Sequence, residues 1–194
     1  MAASKDHPSP LTLSRHPGSP SGGVEHADVS ASALPGALAL CYRLRGALRR
    51  IAVPEPARPA RRDGLWRHTC FECFVRIPGQ RAYAEFNVSP SGEWAAYRFD
   101  ACRAGMRPLE LDEAPRIELV RSHAALELRT RLRLPAPWDG APRLQLALTA
   151  VVEEVSGALS YWALAHPPGK PDFHRDDGFA LMIETGQDCS RGTQ

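Results

Sequence analysis

Three things are scarce in this 194-residue chain: cysteine, long apolar runs and clustered charge of one sign. The five cysteines, Cys41, Cys70, Cys73, Cys102 and Cys189, are odd in number and irregularly spaced, so no disulfide framework is expected. No apolar run approaches the roughly 20 residues of a membrane-spanning helix, and no membrane partner is expected. Residues 1–23 are polar and rich in Pro and Ser, without the apolar stretch of a secretory signal; the expected location is the cytoplasm. The formal net charge is only +2. Arginine greatly outnumbers lysine but is spread along the chain, and without a basic stripe no nucleic-acid partner is expected.

Chemical motifs are sparse too. There is no glycine-rich phosphate loop. Ser89 lies in a turn and does not match Gly-x-Ser-x-Gly. Cys70 and Cys73 form a single pair, and in a strand residues three apart point to opposite faces, so their thiols do not converge on a metal. His68, Cys70 and Glu72 share one side of that strand, a less specific pattern. No metal site is expected.

What is present is a chain cut short repeatedly by 18 prolines and 15 glycines, with 43% hydrophobic residues to build a core. Short strands are expected at residues 11–14, 24–33 and 38–44, with a proline-rich loop at 54–63. Residues 68–77, 81–88 and 93–99 form a three-strand meander separated by Pro-Gly and Ser-Pro-Ser-Gly turns. A hairpin follows at 116–120 and 125–134. There Leu126, Leu128, Thr130, Leu132 and Leu134 alternate with Glu127, Arg129, Arg131 and Arg133, the period of a strand with one face in water. Residues 143–153 repeat that alternation, although the Leu and Ala of 142–155 also suit a helix. Segments 159–165 and 179–184 close the set. The pattern predicts an all-β sandwich or barrel over residues 11–185, with a flexible tail at 1–10 and a polar tail at 186–194. Nothing in the sequence points to an oligomeric state.

Two clusters carry possible chemistry. The alternation of the meander sets one apolar face against one that mixes Glu72, Glu85, Asn87, Trp94 and Arg98, with Trp66 and His68 just before it. Rings beside carboxylates, amides and a guanidinium suit a sugar: rings stack on C–H surfaces while fixed donors and acceptors read hydroxyls. The plainer reading is a solvated sheet face with Glu–Arg cross-strand pairs. The second cluster runs from Tyr161 and Trp162 into a loop stiffened by Pro167, Pro168 and Pro171, carrying His166, Lys170, Asp172 and His174. Such a loop forms one rim of a site, or is a surface loop whose His and Asp satisfy turn hydrogen bonds. Glu72 and Glu85 on neighbouring strands leave a small acid–base enzyme as a further alternative, and a flat apolar patch would instead mark an interaction module.

The runs 65–74 (LWRHTCFECF) and 83–97 (YAEFNVSPSGEWAAY), together with the loop 166–174 (HPPGKPDFH), resemble the DOMON-like group of bacterial proteins, itself similar to family 9 carbohydrate-binding modules. The resemblance covers about residues 11–183. It implies an immunoglobulin-like or jelly-roll β-sandwich of mainly antiparallel strands that holds a sugar or a b-type haem. For a sugar, Trp66 and Trp162 are the implied clamp, with Trp94 in reserve. For haem, the implied axial ligands are Met106, His166 and Lys170. The leading expectation is a non-catalytic domain for carbohydrate or a related small polar metabolite, with no cofactor, and haem-based electron transfer is the alternative.

Overall fold

The computed structural model describes residues 9–186. The two expected tails therefore lie almost wholly outside the described residues, as does Cys189.

The described chain folds into two antiparallel sheets packed face to face. The first sheet has the order β1 (Leu11–Arg15), β2 (Val24–Leu34), β3 (Ala37–Gly46), β9 (Ala125–Arg133), β8 (Arg116–Arg121). The second runs β7 (Arg107–Pro108), β6 (Trp94–Phe99), β5 (Tyr83–Val88), β4 (Cys70–Arg76), β10 (Arg143–Glu153), β11 (Leu159–Ala163) and again β1. A short β12 (Leu181–Glu184) pairs with the first half of β10. Strand β1 belongs to both sheets: Leu11–Leu13 pair with β2, and Ser14 and Arg15 pair with β11.

Period-two alternation explains the core between the sheets. From the second sheet come Phe71, Cys73 and Val75, then Ala84, Phe86 and Val88, then Leu144, Leu146 and Leu148. They meet Leu38, Leu40, Tyr42 and Leu44 of β3 and Leu126, Leu128 and Leu132 of β9. Each such aliphatic or aromatic side chain contributes about 1.5–3 kcal/mol by leaving water. The Tyr42 hydroxyl crosses the core and donates to the Glu72 carbonyl oxygen at 2.7 Å, so the ring is buried without an orphaned polar group.

The helical alternative for 142–155 is not realised. Residues of β10 bond to β4 on one side and to β11 and β12 on the other, and that ladder overrides local helix propensity. The strand is buried on both faces over Leu146–Val152. One face meets the first sheet, and the other lies under a second apolar cluster that includes Phe74, Tyr83, Phe99, Phe173 and Phe179. The second sheet thus has two covered faces, while the first sheet has a solvated outer face carrying Arg43, Arg45, Arg129 and Arg131.

Candidate functional site

The outer face of the second sheet is shaped by its register. Glu72 lies opposite Asn87 on β5 and Thr149 on β10; Glu85 lies opposite Phe74 on β4 and Tyr97 on β6. Tyr83, Glu85, Asn87, Tyr97 and Phe99 therefore share this face with Glu72 and Phe74. Above them stand a 3-10 turn (Leu65–Arg67), the tight turn at 100–105, and the loop at 164–180. Together they enclose a recess of about 280 Å³ whose lining includes Trp66, Glu72, Glu85, Arg103, Tyr161 and His174. Phe99, Met106, Val151, Pro171 and Phe173 complete its apolar part.

The loop is fixed over the sheet by specific bonds. Arg103 donates from Nε and a terminal nitrogen to Asp172 Oδ1 at 3.2 and 2.8 Å, and the same oxygen accepts the His174 backbone N–H at 3.1 Å. Tyr83 accepts the Arg103 N–H at 3.3 Å and lies 2.7 Å from His174 Nδ1. We assign the Tyr83 hydroxyl proton to the hydrogen bond with Nδ1 of the neutral imidazole, which places the ring proton on Nε2, facing Glu85 Oε2 at 3.9 Å. Burial, and next the charge of Arg103, push the His174 pKa down to about 4, so it is neutral around pH 7. Farther along the loop, Arg76 pairs with Asp176 and lies 4.2 Å from the Phe179 ring centroid.

The two carboxylates at the floor are nearly enclosed, 3% exposed for Glu72 and 5% for Glu85. Glu72 Oε2 accepts from the Thr149 hydroxyl at 3.2 Å, and Glu85 Oε1 accepts from Asn87 Nδ2 at 2.7 Å. The other oxygen of each has no hydrogen bond among the described residues. Burial raises the pKa of both above the ordinary glutamate range; for Glu72 the neighbouring Glu85 adds to the rise, and the Thr149 hydroxyl and Arg103 oppose it. These are acids that the fold makes reluctant to ionise.

Of the residues singled out by sequence, Trp66, Glu72, Glu85 and His174 line the recess. Asn87 is wholly buried beside them and positions Glu85, and Asp172 anchors Arg103. Others go elsewhere. Trp94 and Arg98 lie on the opposite face: β6 pairs so that Ala95, Tyr97 and Phe99 accompany Glu85, leaving Trp94 against the inter-sheet core and the Arg98 guanidinium 5.6 Å from the Trp138 ring centroid. Trp162 is also in that core, its indole N–H donating to Ser160 Oγ at 3.0 Å, so it offers no stacking surface. Its neighbour Tyr161 takes the recess position instead.

His68 is exposed and bonded to Glu153 at 2.7 Å. It rims a second recess of about 510 Å³ beside the first, so His68, Cys70 and Glu72 do not converge. There the polar groups satisfy one another: Arg62 donates to Glu93 at 3.0 Å, and Ser91 to Ser89 at 2.9 Å. His166 turns away to the Ser14 carbonyl at 2.8 Å, and Lys170 is exposed. The implied haem ligands therefore do not meet, because only Met106 among Met106, His166 and Lys170 lines the recess. Among the described residues no group of three or more His, Cys, Asp or Glu is placed to hold a metal ion.

Sequence reasoning placed Tyr161 in the second cluster without choosing it over Trp162, and overlooked Arg103 and Phe99 as lining residues. The alternation of β11 carries the signal for Tyr161, since Tyr161 and Trp162 must face opposite ways. Arg103 adopts a left-handed backbone (φ 53°) in its turn, which periodicity does not reveal.

Fold and recess together define an antiparallel β-sandwich with a small polar–aromatic hollow on one outer face. No protein-family model matches the chain, and no curated protein does. Among solved structures, the chain is similar to a protein of Bacteroides uniformis proposed to bind carbohydrate. The two share 15% identity at a TM-score of 0.62, over 90% of this chain and 84% of that one. It is also similar to a family 9 carbohydrate-binding module of Caldicellulosiruptor kristjanssonii in complex with cellotriose, with 10% identity, a TM-score of 0.55, and coverage of 96% and 87%. These likenesses establish the shared β-sandwich fold.

Proposed function

We propose that this protein is a non-catalytic carbohydrate-binding domain whose ligand occupies the recess over β4, β5 and β10. One observation carries the reading: two nearly enclosed carboxylates open their unbonded oxygens into a hollow walled by aromatic rings. Trp66, held 5.9 Å from Tyr97 by an edge-on ring contact, and Tyr161 offer apolar surfaces to a sugar's C–H groups. Glu72 and Glu85 accept its hydroxyl protons, and the His174 Nε2–H donates. The fold shared with a sugar-complexed module supports the same assignment. On this reading the protein is a member of the DOMON-like group and binds without a cofactor.

The test is a glycan screen followed by calorimetric titration of the best ligand. Trp66→Ala should weaken binding about tenfold or more, on the order of 1.4 kcal/mol, with an unchanged circular dichroism spectrum. A protein that binds no mono- or oligosaccharide would overturn the reading.

A further inference from the structure

We propose that the ligand of this recess is an amino sugar whose protonated amine sits against Glu72 and Glu85. The inference rests on the carbohydrate reading above and deepens it.

Four glutamates are buried among the described residues. Two have an arginine: Glu127 is paired with Arg43 and Arg129, and Glu154 with Arg50 at 3.5 Å. Glu72 and Glu85 have none among the described residues. The guanidinium above them, that of Arg103, is tied to Asp172 at 2.8 Å, and the neutral His174 is the remaining base on the loop that faces them. Buried carboxylates are normally paired, and the one guanidinium near these two among the described residues is committed to Asp172.

Position and shape agree with an ammonium. Glu72 and Glu85 are diagonal neighbours on one face, with backbones about 7–8 Å apart, and each has one oxygen free of hydrogen bonds to the described residues. An ammonium has three donors and no acceptor, so it serves both oxygens at once, while a hydroxyl serves one. The walls favour the same charge. Trp66, Phe99, Tyr161 and Phe173 line the recess, and aromatic faces attract a cation in a poorly hydrated site. Acetylation of the amine removes the charge and adds bulk, so the free amine is the form that fits.

The groups facing the pair are Cys70, Tyr83, Tyr97 and Tyr161 from the same sheet, Arg103 from the turn and Asp172 and His174 from the loop. Since burial keeps the glutamates partly protonated in the free protein, an incoming ammonium displaces protons to the buffer.

The experiment is isothermal titration calorimetry of the full chain at slightly acidic pH with D-glucosamine, D-glucose, N-acetyl-D-glucosamine and cyclohexylamine. Each titration is run in two buffers of different ionisation enthalpy. Glucosamine should bind about tenfold or more tighter than glucose or the acetylated sugar, with a buffer-dependent heat that reports proton release. Glu72→Gln and Glu85→Gln should remove both the preference and the proton release. Equal affinity for glucose and glucosamine without proton release would overturn the amine and leave the carbohydrate reading standing. Cyclohexylamine binding as tightly as glucosamine, with glucose not bound, would support the cation seat and overturn the carbohydrate reading. Failure of all four ligands to bind would overturn both. The buffer comparison uses the wild-type chain alone and so does not depend on the variants folding.

Discussion

On the outer face of the first sheet, Glu127 takes Arg43 at 2.5 and 2.8 Å and pairs also with Arg129; on the outer face of the second, Glu72 and Glu85 have no arginine within ion-pair reach among the described residues. The strands differ: β3 and β9 alternate aliphatic residues with arginines, whereas β4 and β5 are rich in aromatic residues and buried on both faces; yet all three glutamates are buried. For Glu127, burial acts to raise the pKa, but hydrogen bonds from Arg43 and Arg129 outweigh it and the net shift is downward. For Glu72 and Glu85, burial wins and the shift is upward. The first arrangement is an ordinary solvated ladder, the plainer reading of the sequence realised on a different sheet from the one expected. In the second, the Thr149 and Asn87 hydrogen bonds and the charge of Arg103 do not offset burial, the kind of perturbation that marks functional sites.

The comparison is broken most severely by cutting into what lies beneath each face. Phe74 is fully buried under the recess, with ring contacts to Tyr83, His174 and Phe179. Phe74→Ala is expected to lose about 3–5 kcal/mol in urea unfolding, while Arg131→Ala, on the exposed face of β9, should stay within about 0.5 kcal/mol. Equal losses would mean that the second sheet's outer face is not a true core.

The pH dependence of stability separates the faces next. Glu72 and Glu85 bind protons more tightly folded than unfolded. Their contribution is complete below the ordinary glutamate value of 4.5 and is lost as pH rises through neutrality. His174, whose pKa is lowered, acts in the opposite sense over part of this window, so the comparison is with the double variant Glu72→Gln, Glu85→Gln: wild-type stability relative to it should fall with rising pH by about 1.4 kcal/mol per pH unit for each proton involved. A difference that stays flat across this window would refute the assignment.

The smallest effect has the opposite sign. Glu127, with its lowered pKa, contributes above the ordinary glutamate value and loses that contribution as pH falls through its folded one. Because Arg43 and Arg129 are half exposed, Glu127→Gln should cost about 0.2–1 kcal/mol at neutral pH and nothing in acid. Thermal unfolding at two pH values checks it.

Most strands were readable because alternation and turn residues are local signals: the meander, the hairpin of β8 and β9, and the two-faced pattern of β9 follow from residue order alone. The site was readable only in part. Glu72, Glu85 and Trp66 emerge because strands β4 and β5 present plain alternation and the turn before them holds an unmatched tryptophan. Trp94 and Arg98 were misplaced because alternation fixes the two sides of one strand but not which side of its neighbour it joins. That depends on β5–β6 register, with Asn87 opposite Ala95. Trp162 came from the resemblance, which implies a tryptophan clamp; alternation puts it and Tyr161 on opposite faces of β11, and it is Tyr161 that faces the recess. Arg103 depends on a turn conformation and on a partner 69 residues away in Asp172, a separation no local pattern encodes.

Strand β1 spends its first three residues in one sheet and its last two in the other. Just beyond it, His16 donates its backbone N–H to the Tyr161 carbonyl at 2.8 Å, while His166 holds Ser14. The sandwich is therefore sewn at a seam that also frames the hollow. In hydrogen exchange the two sheets should open as one cooperative unit instead of two. For protein engineering, this makes the N-terminal strand a poor place to trim or permute the chain: unpicking the seam would loosen Tyr161 before it disturbed any residue of the floor.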